Sequence, residues 1–142
     1  MRTPNALLAD SGFWIAMFDP RDPYHEEAQT LPIDLDSVDL LVPWPSLYET
    51  LNTRFVKDRR RLAPFLVVLK KPNVRLLDDQ SYRADAYDII ERFNTNRAFS
   101  LVDVVVRIML ADTNLRVRGL VTFNKADFVD VCRAQSIELF PA

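Results

Sequence analysis

Ala6-Leu7-Leu8-Ala9-Asp10, running straight into Ser11-Gly12, is a short apolar run that ends on a carboxylate and then changes character at once. An apolar run of this length, bounded by turn residues, suits a strand covered on both faces, as the strands of a parallel sheet are. Phe13-Trp14-Ile15-Ala16-Met17-Phe18 is too apolar for a loop and is stopped by Asp19-Pro20, which predicts a short helix. Asp10 therefore stands at the carboxyl end of a central strand, at the mouth of a strand-to-helix turn. That edge of an open α/β sheet is where ligands bind.

Outward from this unit, strands and helical segments alternate. Asp22-Pro23, with Glu26 and Glu27 following, reads as an N-cap, a proline at the first helical position and acids in the first turn, predicting a helix over 23–30. Asp39-Leu40-Leu41-Val42 is a second strand, ended by Pro43-Trp44-Pro45. From Pro45 a helix is predicted on Leu47, Leu51 and Phe55, widened by Tyr48 and Val56, with Glu49, Asn52, Arg54 and Lys57 on its polar side. A helix over 62–70 follows, with Pro64 in its first turn, where proline is tolerated. Val74-Arg75-Leu76-Leu77 is the third strand. Residues 79–96 are clearly amphipathic through Tyr82, Ala86, Ile89, Ile90 and Phe93. Ser100-Leu101-Val102-Asp103 opens a segment apolar nearly all round as far as Ala111, so that helix should be largely buried. Gly119-Leu120-Val121-Thr122 is the fourth strand, Asn124 to Phe128 a turn or short helix, and Ser136 to Phe140 a closing strand.

Strands separated by helices require crossover connections, hence an α/β fold: a mainly parallel central sheet of four to five strands with helices on both faces. Right-handed crossovers bring every strand-to-helix mouth to one edge. With no repeat, low-complexity tract or linker in sight, residues 1–142 read as a single domain.

Composition narrows the class. Of 142 residues 49% are hydrophobic and 27% charged, an ordinary soluble make-up. No apolar run approaches the roughly 20 residues of a bilayer span, so no membrane role is expected. Met1 to Asn5 runs directly into the first expected strand, so no signal peptide is expected, and Cys132 is alone, which excludes an internal disulfide framework. A reducing cytoplasm is the expected compartment. A net charge of −2 argues against gripping nucleic acid by bulk electrostatics. The charge is uneven, however: Lys57-Asp58-Arg59-Arg60-Arg61 and Lys70-Lys71 are basic, whereas Asp34, Asp36 and Asp39 are acidic. Such runs are ordinarily solvated faces.

Four acids fall at the predicted mouths, and each has a structural explanation. Asp10 can cap the following helix, Glu49 can sit in a first turn and favour the dipole, and Ser100-x-x-Asp103 matches a capping box. Asp127, three residues after Asn124, can begin another helix. Capping, however, works equally with Ser, Thr or Asn and does not require acids at so many successive mouths. Asp103 lies among Leu101, Val102, Val104, Val105 and Val106, where a carboxylate is costly unless paired or bound to a cation. Arg107, one turn along, is its natural ion-pair partner and the best rival account. Carboxylates gathered on one edge repel, and a hard divalent cation relieves them. All-oxygen ligation indicates Mg²⁺ or Mn²⁺ rather than zinc, since the one histidine, His25, lies elsewhere. No Gly-rich phosphate loop and no Ser-His or Cys-His pair competes.

Asp10-Ser11 after an apolar strand, Glu49 in Ser46-Leu47-Tyr48-Glu49-Thr50, Ser100-Leu101-Val102-Asp103 opening a helix, and Thr122-x-Asn124-x-x-Asp127-Phe128 after a strand together resemble the PIN-domain ribonucleases. The length, and a match from residue 7 to about 128, look most like the VapC-type toxins of bacterial toxin–antitoxin pairs. The resemblance implies a PIN-like domain and a metal-dependent endoribonuclease. Asp10 and Asp103 would be the principal metal ligands, Glu49 and Asp127 would complete the acidic cluster, and Ser11, Thr122 and Asn124 would be hydrogen-bond partners behind them. Many members carry an Asp where Asn124 stands, and a neutral amide there weakens a second metal site. That departure keeps alive a catalytically weak or inactive PIN-fold binding module. Phosphodiester hydrolysis needs a nucleophilic water and charge stabilisation on the attacking and leaving oxygens, both within the reach of bound metal ions. Glu49 or Asp127 would orient or deprotonate that water.

The implied substrate is RNA, single-stranded or looped, since an A-form duplex limits access to its backbone. Arg54 and Lys57, beyond Glu49, are placed to meet flanking phosphates. The implied partner is an antitoxin whose C-terminal segment wraps the toxin. Phe13 to Phe18, Trp44 and the 62–70 helix are more apolar than one small core needs, and offer a groove for that segment or a homodimer face; core packing is their default role. A phosphoacceptor receiver domain also carries strand-end acids and Mg²⁺, but it wants paired acids at the first strand and a Lys after the last. Asp10 is followed by Ser11, and Ile137 to Phe140 offers no Lys.

Overall fold

A computed structural model describes residues 6–52, 54–92 and 99–142, with Arg54 described in its backbone alone. Met1 to Asn5 and Phe93 lie outside the described residues, as does the side chain of Arg54 named above as an RNA contact. The five strands are β1 (Ala6–Ala9), β2 (Asp39–Pro43), β3 (Val74–Leu77), β4 (Val117–Val121) and β5 (Glu138–Phe140). They form one sheet in the order β3-β2-β1-β4-β5, every neighbouring pair parallel, so β1 is central. This is an α/β fold with a parallel central sheet, as the alternation of elements requires.

Strand periodicity divides the core. Leu7 and Ala9, with Leu40, Val42 and Val121, pack on one face of the sheet, and Leu8 and Leu120 on the other. Helices α1 (Ser11–Phe18), α3 (Trp44–Leu51) and α4 (Arg59–Leu69) cover the first face. The second is covered by α5 (Gln80–Arg92), α6 (Leu101–Ala111) and α7 (Val129–Gln135). The short α2 (His25–Gln29) packs on α1. The chain thus leaves β1 on one face and β4, its neighbour, on the other. Between them opens the crevice at the strands' carboxyl ends that binds ligands in doubly wound sheets.

Several elements differ from expectation. Asp22 makes a local turn, accepting from the Tyr24 N–H at 2.9 Å, so α2 begins at His25 and Pro23 is not its first residue. The helix expected to run from Pro45 through Val56 stops at Leu51, and Arg54–Lys57 form a 3-10 turn. Asp58 explains the break: its carboxylate accepts from the Arg60 N–H at 3.1 Å, capping α4 and drawing Arg59 to Arg61 into that helix's first turn. Pro64 is consequently inside α4 rather than in its first turn. On α5, Ala86 is fully buried while Ile90 is 36% exposed, so the buried stripe is narrower than its periodicity suggests. Helix α7 has no counterpart among the expected elements; Val131 and Cys132 turn inward, and Ser136 closes it in the left-handed conformation at φ 56°.

The apolar segment proposed as a groove is core. Phe13 and Trp14 are fully buried, and Trp14 meets Phe65 at 5.3 Å and Phe13 at 4.9 Å between ring centroids. Of the wider set, Trp44 and Val67 reach the surface, 37% and 62% exposed.

Candidate active site

Asp10 ends β1 and caps α1. Its backbone N–H continues the sheet by donating to the Val121 carbonyl at 3.0 Å, which fixes it beside β4. The carboxylate is 6% exposed, with Oδ1 accepting from the Ser11 N–H at 2.9 Å and Oδ2 from the Thr122 hydroxyl at 3.1 Å. Thr122, fully buried, in turn accepts from the Asn124 N–H at 3.0 Å. One hydroxyl therefore links the first acid to the loop carrying the last. Burial is the main cause of a pKa pushed up to about 6 at Asp10; the charges of Asp103 and Glu49 add to it, and the two hydrogen bonds oppose it.

Glu49 accepts from the Ser11 hydroxyl at 2.8 Å. Ser11 thus ties two acids together, its amide on Asp10 and its hydroxyl on Glu49. The first-turn explanation of Glu49 fails: α3 starts at Trp44, so Glu49 lies in its carboxyl-terminal half, where the dipole disfavours a carboxylate. Burial and the charge of Asp103 raise its pKa.

Asp103 lies in the first turn of α6, and the capping-box reading is correct as far as it goes: the Ser100 hydroxyl accepts from the Asp103 N–H at 3.1 Å. Its pKa is nonetheless raised, by burial first and by the charge of Asp127, against hydrogen bonds from Ser100 and the charge of Arg107. The rival ion pair is absent. Arg107 turns instead to Asp130, with contacts of 2.7 and 2.6 Å to its two oxygens, and to the Asp127 carbonyl at 2.6 Å. Asp127 ends a 3-10 turn and shares a hydrogen bond with the Asn124 amide.

Among the described residues no cation contacts Asp10, Glu49 or Asp103. Nor do any three His, Cys, Asp or Glu of this set close into a cage for a metal ion. The donor chemistry still fits Mg²⁺ or Mn²⁺. Mg²⁺ keeps several waters and is commonly held through one or two carboxylates, and a buried, uncompensated Asp10 with acidic neighbours offers that. Lys57 is exposed in the 3-10 turn, while the neighbouring basic run is partly committed: Arg60 to Asp58 at 3.4 Å, and Arg61 to Asp19 at 3.6 Å and Asp58 at 3.7 Å.

Beside Glu49 a cleft of about 740 Å³ runs between α3, α5 and α6, walled by Tyr48, Tyr87, Leu101 and Val105. Tyr48 is 72% exposed. The sequence reading missed the Arg107–Asp130 pair; the signal was present only as an Arg one turn after Asp103 and an Asp in a helix that went unrecognised.

Sheet order and crevice are those of a PIN-like fold, by likeness to a solved structure. The particular likeness is to the crystal structure of VapC20 of Mycobacterium tuberculosis, a sarcin–ricin-loop-cleaving toxin, with a TM-score of 0.69 at 18% identity over 87% of this chain and 94% of that one. No family model matches the sequence, and no curated protein does.

Proposed function

We propose that this protein is a divalent-metal-dependent endoribonuclease, the toxin of a VapBC-type toxin–antitoxin pair, acting in the cytoplasm. The observation that carries the reading is Asp10: a carboxylate buried at the switch point of the sheet, raised to about pKa 6, flanked by Glu49 and Asp103 and met by no cation among the described residues. Likeness to a sarcin–ricin-loop-cleaving toxin supports the reading of RNA as the substrate.

In this reading Asp10 and Asp103 hold Mg²⁺ or Mn²⁺, with Glu49 and Asp127 completing the acidic set. The bound ion supplies an activated water and neutralises charge on the phosphate oxygens. Ser11 and Thr122 aim the carboxylates, and Glu49, half-buried and raised in pKa, orients or deprotonates the attacking water. Arg54 and Lys57 meet flanking phosphates. An antitoxin is the expected partner, and the exposed apolar rim of the cleft, Tyr48, Tyr87 and Leu101, suits a protein partner or a second copy better than α1 does. No helix among the described residues is long and apolar enough to cross a membrane.

The test is paired. Millimolar Mn²⁺ or Mg²⁺ should raise the melting temperature of the unsubstituted protein, because the ion binds only the folded cluster. Asp10→Asn and Asp103→Asn should each abolish RNA cleavage while the circular dichroism spectrum is retained. Cleavage unchanged in either variant removes that residue from the metal shell.

A second reading, a PIN-fold module that binds without cleaving, is favoured by the Asn124 amide occupying Asp127 and by the absence of a closed carboxylate cage among the described residues. No rise in melting temperature with metal, together with no cleavage, would establish it instead.

A further inference from the structure

Arg107 follows Asp103 by one helical turn, the separation at which an acid and a base on one helix face pair readily. Asp103, a partly buried carboxylate in the first turn of α6, lies on the same face within reach of such a cation. The guanidinium is nevertheless directed away. It forms a two-pronged ion pair with Asp130 on α7, donates to the Asp127 carbonyl and lies 4.6 Å above the centre of the Phe99 ring. Fork-to-fork pairing is the strongest geometry open to this cation, and Asp130 is held down to a pKa of about 2 by it. Asp103 is left with Ser100 as its hydrogen-bond partner and no contacting cation among the described residues, the charge of Arg107 reaching it only from a distance.

We propose that Asp130 is a positioning residue that holds Arg107 away from Asp103 and so keeps the acidic edge open to a divalent cation. The proposal rests on the metal-dependent reading above and adds to it a residue that touches neither ion nor substrate. An arginine on Asp103 is an internal substitute for the metal; Asp130 prevents that substitution while Arg107, through the Asp127 carbonyl, fixes the loop of the last acid against α6.

The experiment compares Asp130→Asn with Asp130→Asn/Arg107→Gln, each titrated with Mn²⁺ alone and followed by the rise in melting temperature. A cation brought against a carboxylate typically moves its pKa by roughly one to three, so the released Arg107 should weaken apparent Mn²⁺ affinity about tenfold or more in the single variant. Removing the arginine as well should return the affinity to within a few-fold of the unsubstituted protein. A simple loss of structure at α7 is not rescued by removing a second side chain. Affinity unchanged in the single variant, or no recovery in the double, overturns the proposal. If the unsubstituted protein itself takes up no Mn²⁺, the metal reading fails separately. A metal-free crystal structure of Asp130→Asn then decides the arginine's position: a guanidinium on Asp103 supports its being held away by Asp130, and one still on the Asp127 carbonyl refutes it.

Discussion

Asp10 owes its character to two neighbours and to the loss of water around it. Its folded-state pKa of about 6 lies above the ordinary 3.8, so between those values the folded chain keeps a proton that the unfolded chain has released. Stability therefore falls as pH rises through that window and levels off above it. In metal-free protein near neutral pH, Asp10→Asn should stabilise by on the order of 2–3 kcal/mol, with little effect at about pH 4, measured by urea unfolding at both. Metal stabilisation has the opposite trend, fading as pH drops below about 6 and Asp10 takes up its proton. Of the capping explanations, those for Asp10 and Asp103 are true as local geometry, since Ser11 N–H and Ser100 Oγ make the bonds expected of them. A cap and a metal ligand are compatible roles for one carboxylate, because a cap occupies a single lone pair.

At the scale of elements, β4 shows how closely the sheet is fitted at the switch point. Gly119 lies between β1 and β5, and a Cβ there would stand 2.8 Å from a Leu7 methyl and from the Phe140 ring, and 3.1 Å from the Glu138 carbonyl oxygen. Gly119→Ala should cost about 1–3 kcal/mol, read as a lower urea midpoint at unchanged slope. Because Thr122 follows β4 directly, such a shift should also displace its hydroxyl from Asp10. The strands were legible because buried parallel strands are near-continuous apolar runs. Helix ends were less so. The stripe of Leu47, Leu51 and Phe55 fits one long helix, yet Asp58 caps the next one and the chain breaks between them. A cap outweighs periodicity over a short stretch, and periodicity cannot register a residue that stays buried across a break, as Phe55 does at 3% exposure.

Across the whole molecule, two apolar layers flank one sheet, and the aromatic layer on the α1 face holds the edge that carries the acids. Trp14, fully buried, contacts the rings of Phe13, Phe18 and Phe65, and Phe65 meets Phe55 at 5.6 Å. Trp14→Ala should cost about 3–5 kcal/mol. For a domain of this size the melting temperature should then fall by on the order of 10 °C in a thermal scan. The same packing takes Phe13 and Trp14 out of a partner's reach and leaves the cleft beside Glu49, with Tyr48 and Tyr87 exposed, as an apolar feature open to another molecule.

Sequence alone determined the layered α/β architecture, the central place of Ala6 to Ala9 and the position of Asp10 at a strand end, because hydrophobic period and turn chemistry act within a few residues of the chain. Only the tertiary structure decided which partners the acids meet. Ser11 bridges Asp10 to Glu49, Thr122 reaches Asp10 across 112 positions, and Arg107 chooses Asp130 over Asp103. Such pairings depend on burial and on which elements the sheet order makes neighbours, and no spacing along the chain encodes that.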